Sequence, residues 1–317
     1  TPQSFRCDAE GGWGAAGAVV AVRPAAMAAV AAEPSVDVAP LRPSAAERAT
    51  GCGRNATTGE VAAACAVIVV HKEPVYWAAD LPMAVLPYRR HVTSDGLYVV
   101  PNVYHEHAVY LHYIAAFYDE LPPLSVFLHG HRSSWHNTRL NGPAVDRVRE
   151  LVKQSGALAD PAPPGAYVSL NDYDQCFRDV AMPPLRHYPT VDGRGKRAPP
   201  LPATEWAAEV AAQAHGWERQ MAPEIGAAPP LREAYCCTQF AVSADRIRRR
   251  SHAFWRRLLA DLLDESVPPA CKVSGHVLEL VWGYLLGEPA DATCRKDGWG
   301  KGGPPKRTAP GRPPCLA

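Results

Sequence analysis

The amino-acid sequence predicts an α/β fold, with a mostly parallel central sheet flanked by helices and irregular extensions at both ends. Two observations carry that prediction. Short, unbroken runs of β-branched and apolar residues, suited to strands buried on both faces, alternate with segments whose apolar residues recur at helical spacing. This patterning is confined to residues 61–290.

Ala66 to His71 (AVIVVH) reads as the first buried strand, and Leu97 to Val100 (LYVV) as a second, stopped by Pro101. From His105 to Asp119, the residues His107, Tyr110, Leu111, Ile114, Phe117 and Tyr118 line one face of a helix. Leu124 to His129 (LSVFLH) is a third strand and a central one. A right-handed crossover through 105–119 would lay it parallel to 97–100. Pro143 then opens a helix carrying Val145, Val148, Leu151 and Val152. Tyr167 to Leu170 is a short strand, the proline-rich stretch 181–203 a long loop, and Trp206 to Trp217 a helix. Phe240 to Val242 is a strand, and Ser243 after it suits a helix N-cap. The helix from Ser251 to Asp264 buries Phe254, Trp255, Leu258, Leu259, Leu262 and Leu263. Ser274 caps a last helix with Val277, Leu278, Val281, Tyr284 and Leu285, ending at Gly287.

Outside 61–290 the character changes. Residues 1–60 hold 16 alanines without a sustained amphipathic period and read as a poorly ordered extension. Residues 291–317 form a basic, Pro/Gly-rich tail. With 33 Lys plus Arg against 32 Asp plus Glu, the chain lacks the basic excess of a dedicated nucleic-acid binder. The longest apolar run, Val61 to Val70, is half the length of a membrane span. Nine cysteines show no Cys-x-x-Cys spacing, which disfavours a zinc ribbon or a thioredoxin-type site. The adjacent Cys236 and Cys237 are expected to point to opposite faces in structural roles rather than to bond each other. The cysteines, with the sequon Asn55-Ala56-Thr57, favour the secretory pathway or the extracellular space.

The chemistry-bearing residues cluster at predicted strand ends. Eight of the 12 histidines fall between residues 71 and 136. His129-Gly130-His131, with His136 beyond, comes directly after a predicted strand, and α/β sheets bind ligands at the carboxyl ends of their strands. Alternate residues of an extended segment point the same way, so two imidazoles there either converge on one cation or form a hydrogen-bonded polar turn. Asp172-Tyr173-Asp174 offers two carboxylates to a divalent cation holding a diphosphate, or is a solvated acidic turn. Glu73 closes the first strand. Glu106 opens the first clear helix, where it serves either a ligand or the helix dipole. A Gly-x-Ser-x-Gly elbow, a phosphate-cradling Lys loop and a dinucleotide fingerprint are all absent from the sequence.

Several blocks occur in a recognisable order: Val67-Ile-Val-Val-His-Lys-Glu73, Pro101-Asn102-Val-Tyr-His-Glu106, Tyr110-Leu-His-Tyr-Ile114, Val126-Phe-Leu-His-Gly-His131, Tyr235-Cys-Cys-Thr-Gln-Phe-Ala-Val-Ser243 and Ser274-Gly-His-Val-Leu-Glu279 with Trp282. Over roughly 65–288 the chain resembles domain of unknown function family 3431 (DUF3431). One departure is Tyr104, where the family pattern has Gly. The layout is similar to that of GT-A glycosyltransferase-like proteins. The resemblance implies a nucleotide-sugar donor at the carboxyl ends of the strands and a glycan acceptor. It implies Glu73, Glu106 and Glu279 as catalytic carboxylates and Asn102, His105 and Gln239 as substrate-binding side chains. His129, His131, His136, Asp172 and Asp174 would hold a divalent ion, Mn2+ or Mg2+. Two alternatives stand beside this reading: a metal-dependent hydrolase with zinc on His129, His131 and His136, and a non-catalytic carbohydrate-binding or structural protein. The crossover topology further predicts that Glu106, His129 and His131 share one cleft.

Overall fold

The computed structural model describes residues 52, 58, 60–70, 74–89, 104–132, 144–155, 167–171, 176–180, 203–267, 272–273, 275–292 and 294. The strands are β1 (Ala64–Val70), β2 (Ala84–Arg89), β3 (Leu124–His129), β4 (Tyr167–Ser169), β5 (Cys176–Val180), β6 (Leu231–Tyr235) and β7 (Phe240–Ser243). The helices are α1 (His107–Phe117), α2 (Ala144–Ser155), α3 (Ala203–Gln220), α4 (Ala222–Ile225), α5 (Ala244–Ile247), α6 (His252–Leu263) and α7 (Gly275–Leu285).

Five strands make an open sheet in the order β2-β1-β3-β7-β4, and β5 pairs with β6 separately. β1 runs parallel to both β2 and β3, whereas β7 is antiparallel to both β3 and β4. β4 therefore shares the direction of β3, and the sheet is mixed but mostly parallel. β2 was not expected from the sequence. Pro87 interrupts its apolar run, and the proline is tolerated because β2 lies at the edge. The strand expected at 97–100 lies outside the described residues, and β3 pairs with β1 instead.

Strand alternation feeds two cores. Val67, Val69, Phe127, Phe240 and Val242 join α1, α6 and α7 on one face. Ala66, Ile68, Val70, Leu124, Val126 and Leu128 face the other way, toward Val145 and Val148 of α2 and toward Trp77. Covering both faces explains why β1 is buried along its whole length and reads as an unbroken apolar run. α1 departs from its expected one-sided pattern. Ten of its 11 residues are buried, so it is a helix packed all round rather than an amphipathic one.

Caps set where the helices stop. Ser251 Oγ accepts from the Phe254 amide at 3.0 Å and starts α6, as expected. Arg250 donates to the Leu285 and Tyr284 carbonyls at 2.9 and 3.3 Å, where the last turn of α7 has no helical partners. Gly287, at φ +88, then turns the chain out of the helix.

Among the described residues three disulfides form: Cys52–Cys65, Cys176–Cys294 and Cys236–Cys237. The first two bond residues beyond 61 and 290 into the folded unit. The third corrects the expectation that the neighbouring cysteines point apart. Among the described residues, no helix is long and apolar enough to cross a membrane.

Gly216 of α3 sits against the backbone of residues 272–273. A Cβ there would lie 2.8 Å from both the Lys272 carbonyl carbon and the Val273 nitrogen. Alanine would gain about 1 kcal/mol in helix propensity, but overlap with backbone costs roughly 1–3 kcal/mol. Gly216→Ala should therefore lower the denaturant midpoint, and a raised midpoint would show that the 272–273 segment yields.

Candidate functional site

The site forms where three segments meet at the carboxyl end of β3. His129 is the last residue of β3, paired in register with Val69 of β1. Glu106 is the N-cap residue of α1. Residues 236–239 lead into β7, which is hydrogen-bonded to β3. Because β7 runs opposite to β3, its entrance lies at the edge where β3 ends. The topology thus brings residues far apart in sequence to one place.

The Glu106 carboxylate lies 3.5 Å from His129 Nε2, and both side chains are partly open, at 14% and 20% exposure. Thr238 Oγ1 donates to the same carboxylate oxygen, Oε1. Gln239 Oε1 accepts from the His129 amide at 3.2 Å. Glu279, from α7, accepts from the Cys237 amide at 3.0 Å. Asn171, just past β4, donates to the Cys236 carbonyl at 2.6 Å. Beneath Glu106, Trp282 Nε1 donates to His107 Nδ1 at 3.0 Å, so the proton of that imidazole resides on Nε2. His105, which precedes Glu106, and His276 are both exposed, with ring centroids 6.3 Å apart.

Burial alone would push the Glu106 carboxyl up. His129, by its charge and its hydrogen bond, then His107 and the Thr238 hydroxyl, outweigh burial and hold it well below the usual carboxylate range. His107 is lowered from 6.5 to about 4 by burial. The Tyr110 phenol is pushed well up by burial and then by the Glu106 charge. Its hydroxyl is buried without a hydrogen-bond partner.

The backbone here is unusual. Four described non-glycine residues have positive φ: Tyr104 (53), His105 (55), Cys237 (69) and Thr238 (33). All four lie in the two segments that hold Glu106, and such conformations concentrate at functional sites. Glycine, which the resemblance implies at residue 104, would adopt this left-handed backbone without strain, and Tyr104 adopts it with φ 53.

Of the residues singled out from the sequence, Glu106, His129, Gln239 and Glu279 are linked by the contacts above. His105 borders the group, and His131 is exposed. Glu73, Asn102, His136, Asp172 and Asp174 lie outside the described residues. The strand leading to Asp172 is separated from β3 by β7. Sequence reasoning missed Thr238, His107, Trp282 and Asn171. Thr238 stands inside the block from Tyr235 to Ser243, but its role depends on a left-handed backbone that residue types do not announce.

Among the described residues, the one group of three His, Cys, Asp or Glu ligand atoms close enough for a single cation is Cys176, Glu233 and Cys294. Its two sulfurs are already bonded to each other, so it does not suit a thiolate-bound ion. Neither His129 nor His131 belongs to such a group among the described residues.

No curated protein and no solved structure matches the chain. The sequence profile described as a protein of unknown function, DUF3431, matches residues 66–298, from within β1 past the end of α7. The match takes in every segment that builds the site, and the chain belongs to the DUF3431 family.

Proposed function

We propose that the protein is a glycosyltransferase-like enzyme that moves a sugar from a nucleotide-sugar donor to a glycan hydroxyl. The observation that carries this reading is the Glu106–His129 pair, 3.5 Å apart at the carboxyl end of a parallel strand. As the new C–O bond forms and the nucleoside diphosphate leaves, the acceptor hydroxyl must lose its proton. Glu106, held low, is ionised at neutral pH and a weak base. It is better suited to orient His129 and to stabilise the imidazolium formed when His129 takes the proton. Thr238 and His129 both meet Oε1 of Glu106, so Oε2 is the oxygen offered to a sugar hydroxyl.

A divalent ion, Mn2+ or Mg2+, would supply countercharge for the diphosphate in this reading. Of its proposed ligands, His129 turns Nε2 toward Glu106, which favours a proton-transfer pair over the zinc-hydrolase alternative. The three disulfides support an oxidising, secretory setting.

The test is calorimetric titration with a panel of nucleotide sugars, with and without Mn2+, and then an assay of nucleoside diphosphate release in the presence of glycan acceptors. Binding and release are expected for the wild type. His129→Ala and Glu106→Gln should each lower kcat/KM about 100-fold. Absence of binding by any nucleotide sugar, or variants that turn over like the wild type, would overturn the assignment.

A further inference from the structure

Residues 236–239 form the hub of the site. Within four consecutive residues, the segment bonds to α1 through Thr238 and Glu106, to β3 through Gln239 and the His129 amide, to α7 through the Cys237 amide and Glu279, and to Asn171 through the Cys236 carbonyl. Two of these residues, Cys237 at φ +69 and Thr238 at φ +33, occupy backbone that non-glycine residues disfavour. A covalent bond joins the side chains of Cys236 and Cys237 at the head of this segment.

We propose that the Cys236–Cys237 disulfide is a latch that assembles the polar site, holding Thr238 on Glu106 and Gln239 on His129 when closed and releasing both when opened to two thiols. The closed ring limits the rotations available at Cys237 and presents Thr238 in its left-handed conformation. Without the ring, residues 237 and 238 return to right-handed backbone, which swings the Thr238 hydroxyl and the Gln239 amide away from their partners. Opening is a two-electron step. The Sγ–Sγ bond breaks, two thiols form, and a small dithiol supplies two electrons and two protons and becomes a cyclic disulfide. Both cysteines are buried, at 1% and 3% exposure, so exchange proceeds only as the loop opens. The latch is therefore set as the chain folds, and an oxidising compartment delivers the assembled site. The inference rests on the site's geometry and stands whatever ligand the site takes.

The test separates a positioning role from general stabilisation. In Cys236→Ala/Cys237→Ala, amide hydrogen exchange at His129, whose N–H is held by Gln239, should speed about tenfold. Exchange at the Phe127 amide, in the middle of β3, should stay within twofold. The γ-methyl resonance of Thr238 should shift in the same variant. Cys52→Ala/Cys65→Ala serves as the control, leaving the His129-to-Phe127 ratio unchanged. If the Cys236/Cys237 variant does not fold, native protein reduced with dithiothreitol is used instead, with the opened pair located by alkylation and mass mapping. Protection lost equally at His129 and Phe127, or retained at both in a protein whose 236–237 bond is open, would overturn the latch.

Discussion

Trp282→Ala should lower the unfolding free energy by about 3–5 kcal/mol, the range for removing a buried tryptophan from a packed core. Trp282 is 1% exposed and joins both levels of the structure. Its ring stacks on Trp255 at 6.1 Å, lies tilted against Phe240 at 5.4 Å and meets Tyr110 edge-on at 6.1 Å, so it ties α7 to α6, β7 and α1. Its indole N–H is the donor to His107 Nδ1, one residue from Glu106. Alanine would leave a cavity among those rings and a buried imidazole nitrogen without its donor, the latter accounting for roughly 1–3 kcal/mol of that loss. Trp282→Phe separates the two contributions, because it keeps most of the packing and removes only the donor. It should cost about 1–3 kcal/mol. Urea unfolding of both variants decides the matter, and equal losses would mean that the ring packing carries none of the effect.

The parts legible in the sequence were those whose burial leaves a direct trace. β1 and β3 are covered on both faces, so β1 reads as an unbroken apolar run and β3 as one broken only by Ser125 before His129. β2 left no such trace, because an edge strand accepts Pro87 and the run looks broken. α1 showed its helical period but not its full burial, since Val109, His112 and Tyr113 pack as deeply as the expected face. The nearness of Glu106 to His129 came from crossover topology, although β1 rather than a strand at 97–100 lies beside β3. Side-chain sterics in an extended chain argued against a Cys236–Cys237 bond. The left-handed backbone at residue 237 takes that segment out of the extended conformation. Thr238 was hidden for the same reason, since its contact with Glu106 depends on backbone angles that no spacing encodes.

Acidification should destabilise the fold steeply, starting well above the ordinary carboxylate range. His107 and His112 are both buried in α1, and burial lowers them from 6.5 to about 4 and about 3. Around His107, Glu106 opposes that shift while His105 and His129 reinforce it. His112 Nδ1 lies 3.3 Å from the Tyr88 hydroxyl. A histidine lowered in the folded state binds its proton more tightly once unfolded. Protons therefore favour the unfolded chain as pH falls below 6.5, and the loss continues down through about 4 and about 3. Each group contributes a slope of about 1.4 kcal/mol per pH unit, so the pair should remove on the order of 5 kcal/mol between pH 6.5 and 4.5. That is comparable with the whole stability of a modest domain. Glu106 adds to the loss only lower down. Its lowered carboxyl contributes stability that is complete above the unfolded carboxylate range and is lost as pH drops toward its folded value. The measurement is urea unfolding at pH 7.5, 6.5, 5.5 and 4.5, with His112→Phe expected to halve the slope between 6.5 and 4.5. Constant stability from pH 7 to 5 would mean that both imidazoles take up their protons without leaving the folded core.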